Sequence, residues 1–266
     1  MKKIFILLVI VLIAFPLAAQ NAEYYYMRGL IYSEKGDLDL AIGDFTRAIN
    51  LNPYDEFYWV DRGNAYLDLG DIDRAIEDFN RVLSMDAQMD NAWFSRGTAY
   101  YSIGNYDKAL EDYNKAISLA PDEASYWGER GIVYLEKGDL DRSIADFTKA
   151  ISLDPNLESA WISRGEAYLA KGDINRAIDD LSKAISLDPN QDSSWLARGE
   201  AYTEIGEIDK AIADINKAIT LNPENPAAFN SRSAAYLAKG DFEQAIRDLD
   251  KAIELDPAGE NFSLNR

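Results

Sequence analysis

The chain has 266 residues, of which 47% are hydrophobic and 12% aromatic, too rich in large apolar side chains for a disordered polymer. Its 27 basic residues against 46 acidic ones leave a formal charge of -19, which repels phosphate backbones and anionic headgroups and excludes nucleic acid as a partner. Without any Cys or His, the chain lacks disulfides, a thiol nucleophile, a lipid-modified cysteine, a Cys/His zinc site and an imidazole base.

Met1-Lys2-Lys3 is a short basic start, Ile4 to Phe15 is an unbroken apolar run, and Pro16 to Gln20 supplies a turn and small residues. This layout predicts a secretory signal peptide over 1–19, cleaved after Ala19. The apolar run is short for a span of ~20 residues, so an uncleaved anchor is the lesser reading. Either way the chain is expected to be exported, to a bacterial periplasm or outside the cell, with no membrane contact beyond that segment.

The remainder, 20–259, is an array. Arginines recur at Arg28, Arg62, Arg96, Arg130, Arg164, Arg198 and Arg232, each 34 residues after the last, and they frame seven gapless repeats: 22–55, 56–89, 90–123, 124–157, 158–191, 192–225 and 226–259. Such a period marks a solenoid, in which no unit can bury its apolar face alone. Position 4 of the repeat is aromatic, from Tyr25 and Trp59 to Phe229; position 8 is Gly in six copies and Ser233 in the last; position 11 is always Tyr. The spacing i, i+4, i+7 puts all three on one face of a first helix, helix A. A Gly at position 15 ends it, and Asp, Asn or Glu follows to start helix B. There, positions 20, 21, 24, 27 and 28 form an apolar stripe with helical spacing, and Pro at position 32 stops it in six copies, Ala87 being the exception. Small residues at 8, 20 and 27 let the two helices approach closely, while the large side chains at 4 and 24 fill the adjoining holes.

A large residue at 4, Gly at 8, Tyr at 11, Ala at 20, a large apolar residue at 24, Ala at 27 and Pro at 32 resemble the tetratricopeptide repeat family over about 22–259. The resemblance implies an all-α, right-handed α-solenoid of seven stacked antiparallel helix pairs, with a concave face lined mainly by helix A. It implies a scaffold for protein–protein interaction with no catalysis and no cofactor. The family usually carries a Leu-like residue at position 7, where this chain has Arg throughout. An arginine beside a core needs a counter-charge, and position 23 is always Asp. We therefore expect structural ion pairs joining Arg28 to Asp44, Arg62 to Asp78, Arg96 to Asp112, Arg130 to Asp146, Arg164 to Asp180, Arg198 to Asp214 and Arg232 to Asp248. An arginine row gripping a ligand carboxylate is the lesser reading.

In the family, positions 2, 5, 9, 12 and 13 line the groove. Carried onto this chain they give apolar Tyr26, Leu30, Phe57, Val60, Phe94, Tyr101, Ile132, Leu135, Ile162, Leu169 and Leu196, and acidic Asp68, Glu136, Glu166, Glu200 and Glu204, with Glu23 and Glu34. No Lys or Arg stands at any of these positions. Family members that grip the acidic C-terminus of heat-shock chaperones use Lys and Arg with Asn there; Asn64 alone does not reproduce that site. The expected partner is a protein or peptide segment that is basic and has apolar anchors. Part of the apolar set could equally pack helix A against its neighbours.

Asp-x-Asp occurs at Asp37/Asp39, Asp71/Asp73 and Asp139/Asp141, but each opens helix B without further oxygen ligands, so no metal is expected. The tail 260–266 is too short for a capping helix, which leaves Ile246, Leu249 and Ile253 at an uncapped end. Phe262 and Leu264 could fold back over them; otherwise the end would serve self-association, and a homo-oligomer is the alternative function. A substrate-binding module of an envelope enzyme complex ranks below both.

Overall fold

The computed structural model describes residues 21–257. The expected signal peptide and the folding back of Phe262 and Leu264 lie outside the described residues. Fourteen helices and no strand occur among those residues, and they fall into two compact units divided after Pro121.

The first unit holds three helix pairs: α1 (Ala22–Glu34) with α2 (Leu38–Leu51), α3 (Glu56–Asp68) with α4 (Ile72–Met85), and α5 (Asp90–Ser102) with α6 (Tyr106–Leu119). The second holds four: α7 (Ala124–Glu136) with α8 (Leu140–Leu153), α9 (Glu158–Ala170) with α10 (Ile174–Leu187), α11 (Asp192–Glu204) with α12 (Ile208–Leu221), and α13 (Pro226–Lys239) with α14 (Phe242–Leu255). Within each unit every helix packs on the next in sequence, and each helix A also touches the helix A of the following repeat. Helices of 13 or 14 residues are marginal in isolation, so this packing holds them.

The chain turns sharply between the helices of a pair because the glycine there adopts a left-handed conformation, as Gly172 does at φ +80. The next amide then reaches back to close the helix: Asp173 N–H donates to the Tyr168 carbonyl at 2.9 Å. The same Asp173 accepts from the Arg176 N–H and so caps helix B.

Helix B supplies most of the core. Ala41, Phe45 and Ala48 of α2, and Ala177, Leu181 and Ala184 of α10, are fully buried. The glycine at position 8 is required by that packing: a Cβ on Gly63 would sit 2.7 Å from the Phe79 ring, and one on Gly199 would sit 2.6 Å from Ile215. Position 4 fastens the turn between repeats, where Trp59, Trp93, Trp161 and Trp195 donate Nε1–H to the carbonyl of residue 53, 87, 155 and 189, at 3.0–3.1 Å.

All seven arginines at position 7 meet the aspartate sixteen residues on through both Nε and Nη2, a bidentate geometry. From Arg62 to Arg232 these bonds measure 2.6–3.0 Å. The remaining Nη1 crosses to helix B of the preceding repeat: Arg62 to Thr46, Arg96 to Asn80, Arg164 to Thr148, Arg198 to Ser182 and Arg232 to Asn216, at 2.6–3.0 Å. Each of these guanidinium groups also lies over the ring at position 4, at 4.8–5.1 Å for Trp59, Trp93, Trp127, Trp161 and Trp195. One arginine thus ties together both helices of its own repeat and, in the repeats with an Nη1 bond, the helix before.

At the carboxyl end the expectation needs correction. Leu249 is 2% exposed, so it belongs to the core and not to an open end. Ile246 and Phe242 are the exposed large apolar side chains of that helix.

Candidate partner-binding site

The residues expected to line a groove lie along a second stripe of helix A, partly packed on helix B, and on it the two units differ in chemistry. In the first unit that face is aromatic. The Tyr26 ring lies 4.7 Å from Tyr58 and 5.9 Å from Phe45, and its hydroxyl donates to Asp61 at 2.7 Å, joining α1 to α3. Phe57 is half exposed, and Asp68 is open to solvent. Phe94 stacks obliquely on Tyr113 and Tyr101 on Tyr106, at 5.5 and 5.9 Å. Burial, with Asp55 and Glu23 nearby, pushes the Tyr58 hydroxyl up to about 12. Leu30 packs partly against the Phe45 cluster.

Val60 is a correction. It is 3% exposed and sits with Val82 and Ala92, so the following repeat closes over it and no partner reaches it.

In the second unit the same face alternates aliphatic and acidic side chains. Ile132, Leu135, Ile162, Leu169 and Leu196 are half-buried, with Ile132 leaning on the Phe147 cluster and Leu196 on the Ala211 cluster. Glu136, Glu166, Glu200 and Glu204 are exposed. Glu200 accepts a hydrogen bond from the Ser231 hydroxyl, joining α11 to α13. Desolvation by the surrounding walls holds Glu166 above the ordinary glutamate range, and the Glu200 carboxylate adds repulsion. Desolvation also raises Glu200, partly offset by Ser231 and reinforced by Glu204.

Two carboxylates on this face escaped the sequence reading. Asp61 in the first unit and Glu129 in the second stand at position 6, next to the arginine, and are raised by burial; at Asp61 the Tyr26 hydroxyl pulls the other way. Position 6 is otherwise Met, Ser or Ala, so only the isolated acids at an intermediate position signal it. Asp61, Glu129, Glu166 and Glu200 have no Lys or Arg partner among the described residues, whereas every Asp at position 23 has one.

The Asp-x-Asp pairs have a different role. Asp71 and Asp139 cap helix B and pair with Arg74 and Arg142. Among the described residues no group of three or more acidic side chains is arranged to hold a metal, and no helix is long and apolar enough to cross a membrane.

Family models described as tetratricopeptide repeats match residues 22–55, 60–124, 95–158 and 226–258, and one described as a TPR repeat matches 165–206 and 199–240. Uncharacterized protein MJ0572 of Methanocaldococcus jannaschii is 42% identical over 40 residues, 15% of this chain and 46% of that protein. Among solved structures, the APC/C hetero-tetramer Cut9-Hcn1 is similar with a TM-score of 0.74 and 21% identity, over 91% of this chain and 48% of that one. The chain thus spans about half the length of these two relatives. YrrB, a TPR protein with an unusual peptide-binding site, is similar with a TM-score of 0.59 and 22% identity, over 71% of this chain and 97% of that one.

Proposed function

Because this chain belongs to the tetratricopeptide repeat family, a fold that serves as a protein-interaction scaffold, we propose that it is an exported, non-catalytic scaffold for basic protein segments with apolar anchors. The observation that carries this reading is the set of carboxylates on the helix A faces, half-buried Asp61 and Glu129 and the more exposed Glu166 and Glu200, all partly desolvated by their neighbours and with no internal counter-charge among the described residues. Carboxylates held partly away from water bind a cation more strongly than fully solvated ones, since less water competes. Half-buried Ile162, Leu169 and Leu196 beside Glu166 and Glu200 offer the apolar part of the contact. That YrrB has a peptide-binding site supports a peptide-like occupant.

The test is comparative affinity purification from the cell envelope with the native chain and with Glu166→Lys/Glu200→Lys. Partners carrying basic, apolar segments should be lost from the variant. An unchanged set of partners would sink the proposal. Export is checked by fractionation and by sequencing the mature amino terminus, expected at Gln20.

Exposure of Phe242 (64%) and Ile246 (54%) on the last helix favours self-assembly through the carboxyl end as a second reading. Sedimentation velocity should then show an oligomer that Phe242→Glu disperses.

A further inference from the structure

The residue before the glycine that ends helix A divides the repeats into two kinds. It is Lys at 35, 137, 171 and 239 but apolar at Leu69, Ile103 and Ile205. In the second unit this lysine reaches thirty residues back to the second residue of the preceding helix B: Lys171 donates to Asp141, and Lys239 to Asp209 at 2.7 Å. These contacts run along the edge formed by successive turns, at the end of the helix A faces and on residues other than Asp61, Glu129, Glu166 and Glu200.

In the first unit Asp39, Asp73 and Asp107 stand at that position. Asp39 and Asp73 are both exposed, and neither has a cationic partner among the described residues, because Leu69 and Ile103 stand where the lysine would be. Leu69 is 45% and Ile103 53% exposed. Leu69, Ile72 and Ile103 line one open depression together with Asp73, at the same place in the repeat as the depression lined by Leu140, Asp141 and Lys171 in the second unit. In one depression an ammonium on an aliphatic stem already fills the site; in the other, the carboxylate and the apolar bed are present and the ammonium is not.

We propose that the turn edge of the first unit is a docking surface for a partner segment that supplies two lysine or arginine side chains, whose stems lie on Leu69 and Ile103 and whose charges meet Asp39 and Asp73. Lys171 on Asp141 is the internal example of that contact. The two acids stand one repeat apart, on α2 and α4; a polyproline II segment, with three residues per turn and ~3.1 Å rise, returns a side chain to the same side every ~9 Å, so the two cations should be three residues apart.

The probe is a fluorescein-labelled peptide with two lysines three residues apart and leucine between them, titrated into the full chain and followed by anisotropy. The peptide is expected to bind, to weaken at least about fivefold against Ile103→Lys, whose own ammonium would take Asp73, and to be unaffected by Lys171→Ile. Because Ile103 is 53% exposed, the variant keeps the fold. The same binding should survive Glu166→Lys/Glu200→Lys, which separates this edge from the helix A faces. Equal affinity for the native chain and Ile103→Lys, or no binding at ~1 mM peptide, overturns the proposal. So does a dimer of the native chain alone that Ile103→Lys dissociates, since a second copy would then be the occupant.

Discussion

Arg164 shows how much of a repeat can depend on one side chain and its partner. Its guanidinium satisfies both oxygens of Asp180, a carboxylate buried at 5% exposure, and then reaches Thr148. Arg164→Met should therefore cost about 3–5 kcal/mol in urea unfolding, because it strands a buried charge. Arg164→Leu combined with Asp180→Leu should recover most of that loss, since an apolar pair of similar volume removes the desolvation cost from both sides. If the double variant is as unstable as the single one, the pair does more than neutralise itself. Ser143 is a smaller case of the same principle. Its hydroxyl is fully buried and makes no hydrogen bond to any described residue, at a position where the six other repeats have Ala. Ser143→Ala should stabilise the chain by about 1 kcal/mol in the same assay.

At the scale of the helix pair, the limiting dimension is the gap at position 8. In the middle of a helix Gly→Ala ordinarily gains about 1 kcal/mol. At Gly63 the added methyl would press on the Phe79 ring, so Gly63→Ala is expected to destabilise by about 1–3 kcal/mol, measured by thermal unfolding; a stabilised variant would mean that the ring moves freely. This level was the most legible in the sequence, because Gly, Pro and the apolar stripes act within a turn or two of where they stand. The Arg–Asp pairing was legible too, since a helix pair of fixed length brings residues sixteen apart together. The third arginine bond was not, because its acceptor varies among Thr, Asn and Ser and looks like ordinary surface polarity. Val60 was misjudged for a related reason: what buries it is Ala92, one repeat further on.

For the molecule as a whole, charge is the dominant variable. A formal charge of -19 is carried partly by carboxylates that the fold holds above their ordinary range. The sign of their effect follows from linkage: for Glu166 and Glu200 the charged form is the disfavoured one in the folded state, so their cost is present at neutral pH and is relieved as pH falls through the raised folded value. Glu166→Gln/Glu200→Gln should raise the melting temperature at pH 7, and the gain should vanish below about pH 4, where the unfolded chain's glutamates are protonated as well. A gain that persists in acid would point to packing instead. The candidate faces were half legible at this scale: the absence of basic residues was plain in the sequence, while Asp61 and Glu129 emerged only once neighbouring helices A were side by side. The arginine clamp has one more consequence, in the order of assembly. Its Nη1 points backwards, from Arg62 to Thr46 and from Arg232 to Asn216, while that of Arg28 turns to the Tyr24 hydroxyl at 3.3 Å. A polypeptide emerging amino end first therefore gives each new repeat an acceptor that is already folded, so the array can lock one repeat at a time in the direction of its synthesis.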